Sequence, residues 1–227
     1  MNTFGITERG DAGLDRMWEA QASRHIGVIL ITKAPQALAE TSIPENAIIH
    51  CTITGFGSTA LEPGVVPAKS ALSGYRRLVN LLGPERTVLR IDPIIPTRKG
   101  LKVAQDIFAQ RQGRTRISFI DAYAHVQRRF KAAGLPALEP QNGSIHYPLK
   151  TRLDALSLFP GTEVCSEPGL PCSGCISDLD YRALNLTPPT TSKLKGQRSS
   201  CLCLSSKTEL LKNRGQCAHG CIYCYWR

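Results

Sequence analysis

Residues 26–33 read Ile26-Gly27-Val28-Ile29-Leu30-Ile31-Thr32-Lys33, and this stretch decides the fold. It is rich in β-branched residues and almost entirely apolar up to Thr32. A strand with one wet face would alternate apolar and polar residues. A continuous apolar run predicts a strand covered on both faces, as in a parallel sheet. Runs of similar character recur at 47–54, 87–91 and 116–120, and a shorter one at 162–165.

Helical spacing fills the gaps between these runs. Residues 67–82 place Leu72, Tyr75, Leu78, Val79 and Leu82 on one stripe and stop at Gly83-Pro84. Residues 101–112 carry Val103, Ala104, Ile107 and Phe108 and end at Gly113, and residues 122–133 carry Tyr123, Val126 and Phe130 and end at Gly134. Residues 135–148, rich in Pro, Asn and Gly, predict a loop. Strands and helices in this alternation predict an α/β fold with a parallel partial barrel. An open doubly wound sheet is the competing arrangement, but no G-x-G-x-x-G follows the first strand. After about residue 160 the helical periodicity is lost, and cysteine, proline and serine dominate. The expected division is a partial barrel over 1–160 and a cysteine-rich segment over 161–227.

The chain has 227 residues, 42% of them hydrophobic, enough to bury a full core. Met1-Asn2-Thr3-Phe4-Gly5 lacks the basic and apolar blocks of a signal peptide. The longest aliphatic run, 28–31, is far too short to span a bilayer. These features predict a cytoplasmic protein with no membrane partner. Nine cysteines in such a chain point to metal rather than to disulfides, and an odd number leaves no closed disulfide framework. The formal net charge of +10 suits polyanions such as nucleic acid. No aromatic-rich basic stripe or helix-turn-helix pattern accompanies it, so a solvated basic surface is the alternative.

Functional groups on parallel α/β sheets gather at the strand C-terminal ends. Thr32-Lys33 ends the first predicted strand, Thr54-Gly55 the second, Arg90-Ile91-Asp92-Pro93 the third and Ser118-Phe119-Ile120-Asp121 the fourth. Polar residues repeated at successive ends predict one shared pocket. Each also has a plain structural use. Lys33 could be merely solvated, Arg90 could pair with Asp92 or Asp121, Asp121 could cap the next helix, and Glu62 could bond the following helix start.

The chain closes on Cys217-Ala218-His219-Gly220-Cys221-Ile222-Tyr223-Cys224-Tyr225-Trp226-Arg227. Cys217, Cys221 and Cys224 stand at the spacing C-x-x-x-C-x-x-C, with an aromatic directly before the third. Three thiolates can hold three irons of a [4Fe-4S] cube and leave the fourth open to a small molecule. A zinc knuckle or an inert cluster is the blander alternative.

In chain order, Ile31-Thr32-Lys33, Thr52-Ile53-Thr54-Gly55, Leu61-Glu62-Pro63, Tyr75-Arg76-Arg77-Leu78 and Arg90-Ile91-Asp92-Pro93-Ile94-Ile95 precede Ile117-Ser118-Phe119-Ile120-Asp121 and Gln197-Arg198-Ser199-Ser200-Cys201-Leu202-Cys203. With the tail, these resemble the motifs of the spore photoproduct lyase-like branch of the radical SAM superfamily, and in particular those of a prokaryotic family within it. The resemblance runs from about residue 27 to the end. It implies a circularly permuted barrel, because the cysteine motif usually follows the first strand and here ends the chain. The tail would then fold back over the barrel mouth.

The same resemblance implies a [4Fe-4S] cluster on Cys217, Cys221 and Cys224 with S-adenosylmethionine at the open iron. One electron would release a 5′-deoxyadenosyl radical. Lys33 would meet the carboxylate of S-adenosylmethionine, with Thr54 and Ser118 bonding the same ligand. Arg90 would orient carboxylate or ribose groups, and Asp121 would bind ribose hydroxyls or act as a general base. An electron donor such as flavodoxin or ferredoxin is implied, and a nucleic acid or nucleotide is the candidate substrate. His219, inside the cysteine loop, could bond a cluster sulfur or face solvent.

Cys165, Cys175, Cys201 and Cys203 resemble cysteines of that family in position. Four thiolates make a closed site, either for zinc or for a second [4Fe-4S] cluster. Cys172 forms a C-x-x-C with Cys175 and could replace one of the four. Cys201 and Cys203 are only two apart, which is tight for one zinc. Uncoordinated thiols are the remaining reading, and Cys51, within a predicted strand, reads as core. Two other function classes stay open: a metal-stabilised nucleic-acid-binding protein, and an iron–sulfur electron carrier. A carrier has no need of Lys33, Arg90 and Asp121 at one mouth.

Overall fold

The computed structural model describes residues 3–189, 201–212 and 217–226; Gln197, Arg198, Ser199 and Ser200 of the motif noted above lie outside them. The sheet is built from β1 (Phe4–Ile6), β2 (Gly27–Thr32), β3 (Ala47–Thr52), β4 (Thr87–Ile94), β5 (Thr115–Phe119), β6 (Glu163–Val164) and β7 (Lys207–Glu209). The helices are α1 (Pro35–Leu38), α2 (Ala68–Leu82), α3 (Arg98–Phe108), α4 (Ala124–Ala132), α5 (Leu149–Leu156) and α6 (Asp178–Ala183).

All strand pairs are parallel, and the order is β6-β5-β4-β3-β2-β1-β7. From β1 to β6 each new strand is added on the same side of the last. Right-handed crossovers in one direction put their helices on one face and curl the sheet. The result is a half-barrel, and the expected parallel partial barrel is what forms.

The period-2 alternation of the strands separates two cores. Val28, Leu30, Ile49, Cys51, Leu89, Ile91 and Ile117 face outward onto Leu72, Tyr75 and Leu78 of α2 and Ile107 and Phe108 of α3. Phe4, Ile6, Ile29, Ile31, Ile48 and Val88 face inward. There they meet Cys175, Ile176, Tyr181 and Cys203 of the cysteine-rich segment, with the Phe4 and Tyr181 rings 5.2 Å apart. This double cover is why the predicted strand at 26–32 has no polar face. Cys51 is fully buried in the outer core, as its place within a strand predicts.

Two strands have no clear sequence signature. Phe4–Ile6 is too short to show a period. Lys207–Glu209 is polar and pairs with β1 in parallel register, Phe4 opposite Lys207. An edge strand of this kind is held by backbone bonds and needs no apolar run. The segment after residue 160 supplies both β6 and β7 to the same sheet, and its α6 fills the inner face. α6 carries a capping box between Ser177 and Asp180.

Candidate functional site

A cavity of about 510 Å³ opens at the C-terminal ends of the strands. Lys33 after β2, Arg90 and Asp92 in β4, Ser118 in β5 and Asp121 just beyond it all line it. Cys217, Cys221 and Cys224 line it too, as do Cys165, Cys175 and Cys201. The shared pocket expected from the strand ends therefore forms, and both cysteine groups face it. Thr54 is the exception. It is buried behind Glu62, outside the cavity lining, and its hydroxyl accepts from Phe56 N at 3.2 Å. β3 ends at Thr52, so the chain has already turned away from the mouth by residue 54.

The tail folds back over the mouth and is fixed at several points. His219 is buried, with Nε2 2.7 Å from Asp11 Oδ2 and Nδ1 3.2 Å from Gly64 O. It neither faces solvent nor is spare for a cluster sulfur, because both ring nitrogens are engaged. Gly64 N donates to His219 O at 3.0 Å. A Cβ on Gly64 would collide with Ala218 O and lie 2.9 Å from His219 Cα, so glycine permits this approach. Arg129 of α4 donates Nε to Ile222 O at 2.7 Å and Nη2 to Cys224 O. Cys221 and Tyr223 are buried against Val65, Ile120, Val126 and Phe130.

Asp11 is the residue that sequence reasoning missed. Its carboxylate accepts from Gly13 N at 2.8 Å, Thr32 Oγ1 at 2.6 Å and Lys33 N at 2.5 Å, besides His219. Burial works against its charge, but the bond and charge of His219 and the bonds from Thr32 and Lys33 hold its carboxyl below the ordinary range. Asp11 follows β1, so recognising Phe4–Ile6 as a strand would have marked it as another strand-end residue.

Lys33 Nζ stands 2.7 Å from Glu62 Oε1 and 2.8 Å from Tyr223 OH, and Tyr223 donates in turn to Glu62. Glu62 does not bond the start of α2; its carboxylate is buried beneath Lys33. Burial raises its pKa, but the charge of Lys33 and bonds from Lys33, Tyr223 and Thr54 bring it below the ordinary glutamate value. Burial, then the charge of Glu62, pushes the Tyr223 phenol well up, so Tyr223 stays a neutral donor. Lys33 thus presents an ammonium with one anchored side and one side toward the cavity.

Arg90 pairs with Asp92 and lies 3.4 Å from Thr52 Oγ1. This is the ion pair that its spacing suggests, and it also faces the cavity. Asp121 does not cap α4, whose N-cap is Tyr123. Its backbone N donates to Tyr225 OH at 2.8 Å, and its carboxylate lies 2.7 Å from His146 Nδ1. Tyr223 and Tyr225, two apart in the tail, thereby dock on the ends of two different strands. At the rim, Arg9 lies over the Trp226 ring, 5.0 Å from its centroid.

The remaining cysteines divide cleanly. Cys165 Sγ and Cys175 Sγ are 3.2 Å apart, Cys201 Sγ and Cys203 Sγ are 3.3 Å apart, and Cys175 also bonds Cys203. Cys172 turns away and exchanges bonds with the Glu167 backbone at 3.1 and 3.0 Å. It is not part of the group. None of the nine cysteines is in a disulfide. Among the described residues, no group of three or more His, Cys, Asp or Glu side chains is placed to hold a metal ion. Cys165, Cys175 and Cys201 share the cavity with the three tail cysteines, and Cys203, outside its lining, touches Cys201 and Cys175.

The family model DUF1848, a domain of unknown function, matches residues 17–226. The chain belongs to the DUF1848 family. The match takes in Lys33, Glu62, Arg90, Asp121 and every cysteine of this DUF1848 chain; β1 and Asp11 precede it. No curated protein and no solved structure matches the chain. No helix among the described residues is long and apolar enough to cross a membrane.

Proposed function

We propose that this protein is a radical SAM enzyme. In this reading Cys217, Cys221 and Cys224 hold a [4Fe-4S] cluster, and S-adenosylmethionine binds beside it. The observation that carries the reading is placement. A C-x-x-x-C-x-x-C tail returns to the C-terminal ends of a parallel half-barrel and shares one cavity with Lys33, Arg90, Ser118 and Asp121.

The chemistry of the donor set, three thiols on one loop, suits the group. The three sulfurs belong to a loop pinned by Asp11, Gly64 and Arg129, so a tail that would otherwise fray is docked on three sides. Burial pushes the Cys221 thiol up to about 11, and a bound metal is what converts such a thiol to a thiolate. When bound, the cluster supplies one electron that splits the sulfonium of S-adenosylmethionine into methionine and a 5′-deoxyadenosyl radical.

The chain's own side chains do the binding. Lys33, oriented by Glu62 and Tyr223, offers its ammonium to the carboxylate of S-adenosylmethionine. Arg90, steadied by Asp92, and Ser118 supply further donors in the cavity, and Asp121 accepts from ribose hydroxyls. A carrier of electrons alone has no use for a cavity of about 510 Å³. A flavodoxin or ferredoxin serves as electron donor. The substrate is a nucleic acid or nucleotide, in keeping with the +10 charge and with Arg9 beside the exposed Trp226 ring at the rim. An aromatic flanked by a cation is a surface on which a base stacks.

The test is anaerobic reconstitution with iron and sulfide, then dithionite and S-adenosylmethionine, with 5′-deoxyadenosine read by chromatography. We expect 5′-deoxyadenosine and methionine, lost in the variant Cys217→Ala/Cys221→Ala/Cys224→Ala. A protein that takes up zinc and no iron contradicts the reading.

A further inference from the structure

We propose that Cys165, Cys175, Cys201 and Cys203 form a thiol–disulfide exchange centre that opens on the cavity and takes a low-molecular-weight disulfide as its substrate. The inference does not depend on what the tail binds. It rests on sulfur-to-sulfur contacts that the fold builds from three separate segments.

Cys165 directly follows β6, Cys175 precedes α6, and Cys201 and Cys203 precede β7. Ser173 N donates to Val164 O at 2.7 Å, and Leu204 N donates to Ile176 O at 2.9 Å, so backbone bonds tie the three segments together. Gly174 sets the closest approach. A Cβ there would overlap Cys203 Cα and lie 2.6 Å from the Leu202 carbonyl carbon, so glycine lets the Cys175 loop lie on Cys203. The outcome is two touching pairs. Cys165 Sγ is 3.2 Å from Cys175 Sγ, Cys201 Sγ is 3.3 Å from Cys203 Sγ, and Cys175 joins the pairs through its bond to Cys203.

This spacing suits bonds between the sulfurs. Ligands of a tetrahedral zinc, each about 2.3 Å from the ion, hold their sulfurs about 3.8 Å apart. A disulfide needs about 2 Å, so each pair closes by roughly 1 Å of side-chain motion. Cys51 is sealed in the outer core and Cys172 bonds the Glu167 backbone, so neither competes.

Access separates the roles. Cys165, Cys175 and Cys201 line the cavity, whereas Cys203 is fully buried outside its lining. A disulfide R–S–S–R that enters the cavity meets Cys201 and not Cys203. The Cys201 thiolate attacks one of its sulfurs, R–S⁻ leaves and takes up the proton lost from Cys201, and Cys201–S–S–R forms. Cys203 then attacks the Cys201 sulfur, releases the second RSH and closes Cys201–Cys203. Two cysteine thiols are oxidised, and one R–S–S–R is reduced to two RSH. A disulfide across a single intervening residue closes a tight ring, and strained disulfides are the readily exchanged ones. Cys175 attacks Cys203 and frees Cys201; Cys165 then attacks Cys175 and frees Cys203. The oxidation ends on Cys165–Cys175, and the first pair is returned as thiols.

The experiment equilibrates the reduced protein under nitrogen with oxidised glutathione, quenches it with iodoacetamide in denaturant and reads the peptides by mass spectrometry. Wild type is compared with Cys217→Ala/Cys221→Ala/Cys224→Ala, which leaves the proposed centre intact. The proposal expects Cys165–Cys175 and Cys201–Cys203 disulfides in both proteins, with Cys51 and Cys172 alkylated. Excess reduced glutathione should return all four thiols. Cys203→Ser should trap glutathione on Cys201, and Cys172→Ser should leave both disulfides forming. Four thiols that stay alkylated at saturating oxidised glutathione overturn the proposal. So do disulfides that excess reduced glutathione leaves intact, and so does iron or zinc retained by these cysteines in the triple variant.

Discussion

His219 Nε2 lies 2.7 Å from Asp11 Oδ2 and joins residues 208 positions apart. The same carboxylate accepts from Thr32 and from the backbone of Lys33. One buried acid therefore refers the cysteine tail to the ends of both β1 and β2. Asp11 thereby fixes the tail relative to Lys33 from one side, and the Lys33–Tyr223 bond fixes it from the other.

Asp11→Asn replaces one acceptor oxygen with a donor facing N–H and O–H groups. The loss should be about 1.5–3 kcal/mol, the scale of a hydrogen bond to a charged group. We expect the tail to become sensitive to limited proteolysis and cluster iron to be lost, while circular dichroism still reports the α/β fold. A tail as protected as in wild type contradicts this role.

Lys33→Ala has two separable effects. Glu62 is left buried without its cation, and breaking a buried pair in this way costs about 3–5 kcal/mol. The lost ammonium should also weaken S-adenosylmethionine binding by about ten- to a hundred-fold, from 1.5–3 kcal/mol. Lys33→Ala/Glu62→Gln should recover much of the thermal stability and none of the affinity. Recovery of both, read by thermal melts and equilibrium binding, would reduce Lys33 to a structural partner of Glu62.

The parts of this fold that were legible in the sequence are those buried on both faces. Gly27–Thr32 and Ala47–Thr52 carry apolar runs because helices cover one side and the cysteine-rich segment the other, whereas Thr115–Phe119 alternates, with Ile117 and Phe119 in the outer core and Arg116 buried on the opposite face. Phe4–Ile6 is short and Lys207–Glu209 is a polar edge, so neither has a pattern to read. The placement of Lys33, Arg90, Ser118 and Asp121 at one cavity was legible from strand ends, and that of Cys217, Cys221 and Cys224 from their spacing and the resemblance. Asp11, Glu62 and Tyr223 acquire their roles from contacts such as that of Lys33 with Tyr223, 190 residues away, which no local pattern encodes. Thr54 misleads because the strand stops two residues before it.

Gly64→Ala tests the docking of the tail from the other side. Its Cβ would meet the backbone of Ala218 and His219, which cannot yield as a flexible side chain can. We expect iron content to fall while the melting temperature changes little, since the overlap involves the tail and not the sheet. Full iron retention in Gly64→Ala would mean that the cysteine loop does not rest on this turn.

Glu209 gives a pH dependence with a defined sign. Burial raises its pKa to about 7, although it accepts from Leu211 N at 3.0 Å and from Glu8 N and Arg9 N at 3.1 Å. A carboxyl whose folded pKa lies above its unfolded value favours folding at low pH. It withdraws that support as pH rises from about 4.5 toward about 7. Glu209→Gln should therefore gain in melting temperature relative to wild type between pH 5 and pH 8, whatever its offset at pH 5. A difference that stays flat across that range contradicts the buried, protonated Glu209.

The central claim is that S-adenosylmethionine binds at a cluster held by Cys217, Cys221 and Cys224. The most direct measurement is the electron paramagnetic resonance spectrum of the reduced, reconstituted protein before and after S-adenosylmethionine is added. The account predicts that the ligand shifts the cluster signal of wild type and that Cys217→Ala/Cys221→Ala/Cys224→Ala lacks that signal. A fully loaded tail cluster whose spectrum is unchanged by saturating S-adenosylmethionine would contradict it.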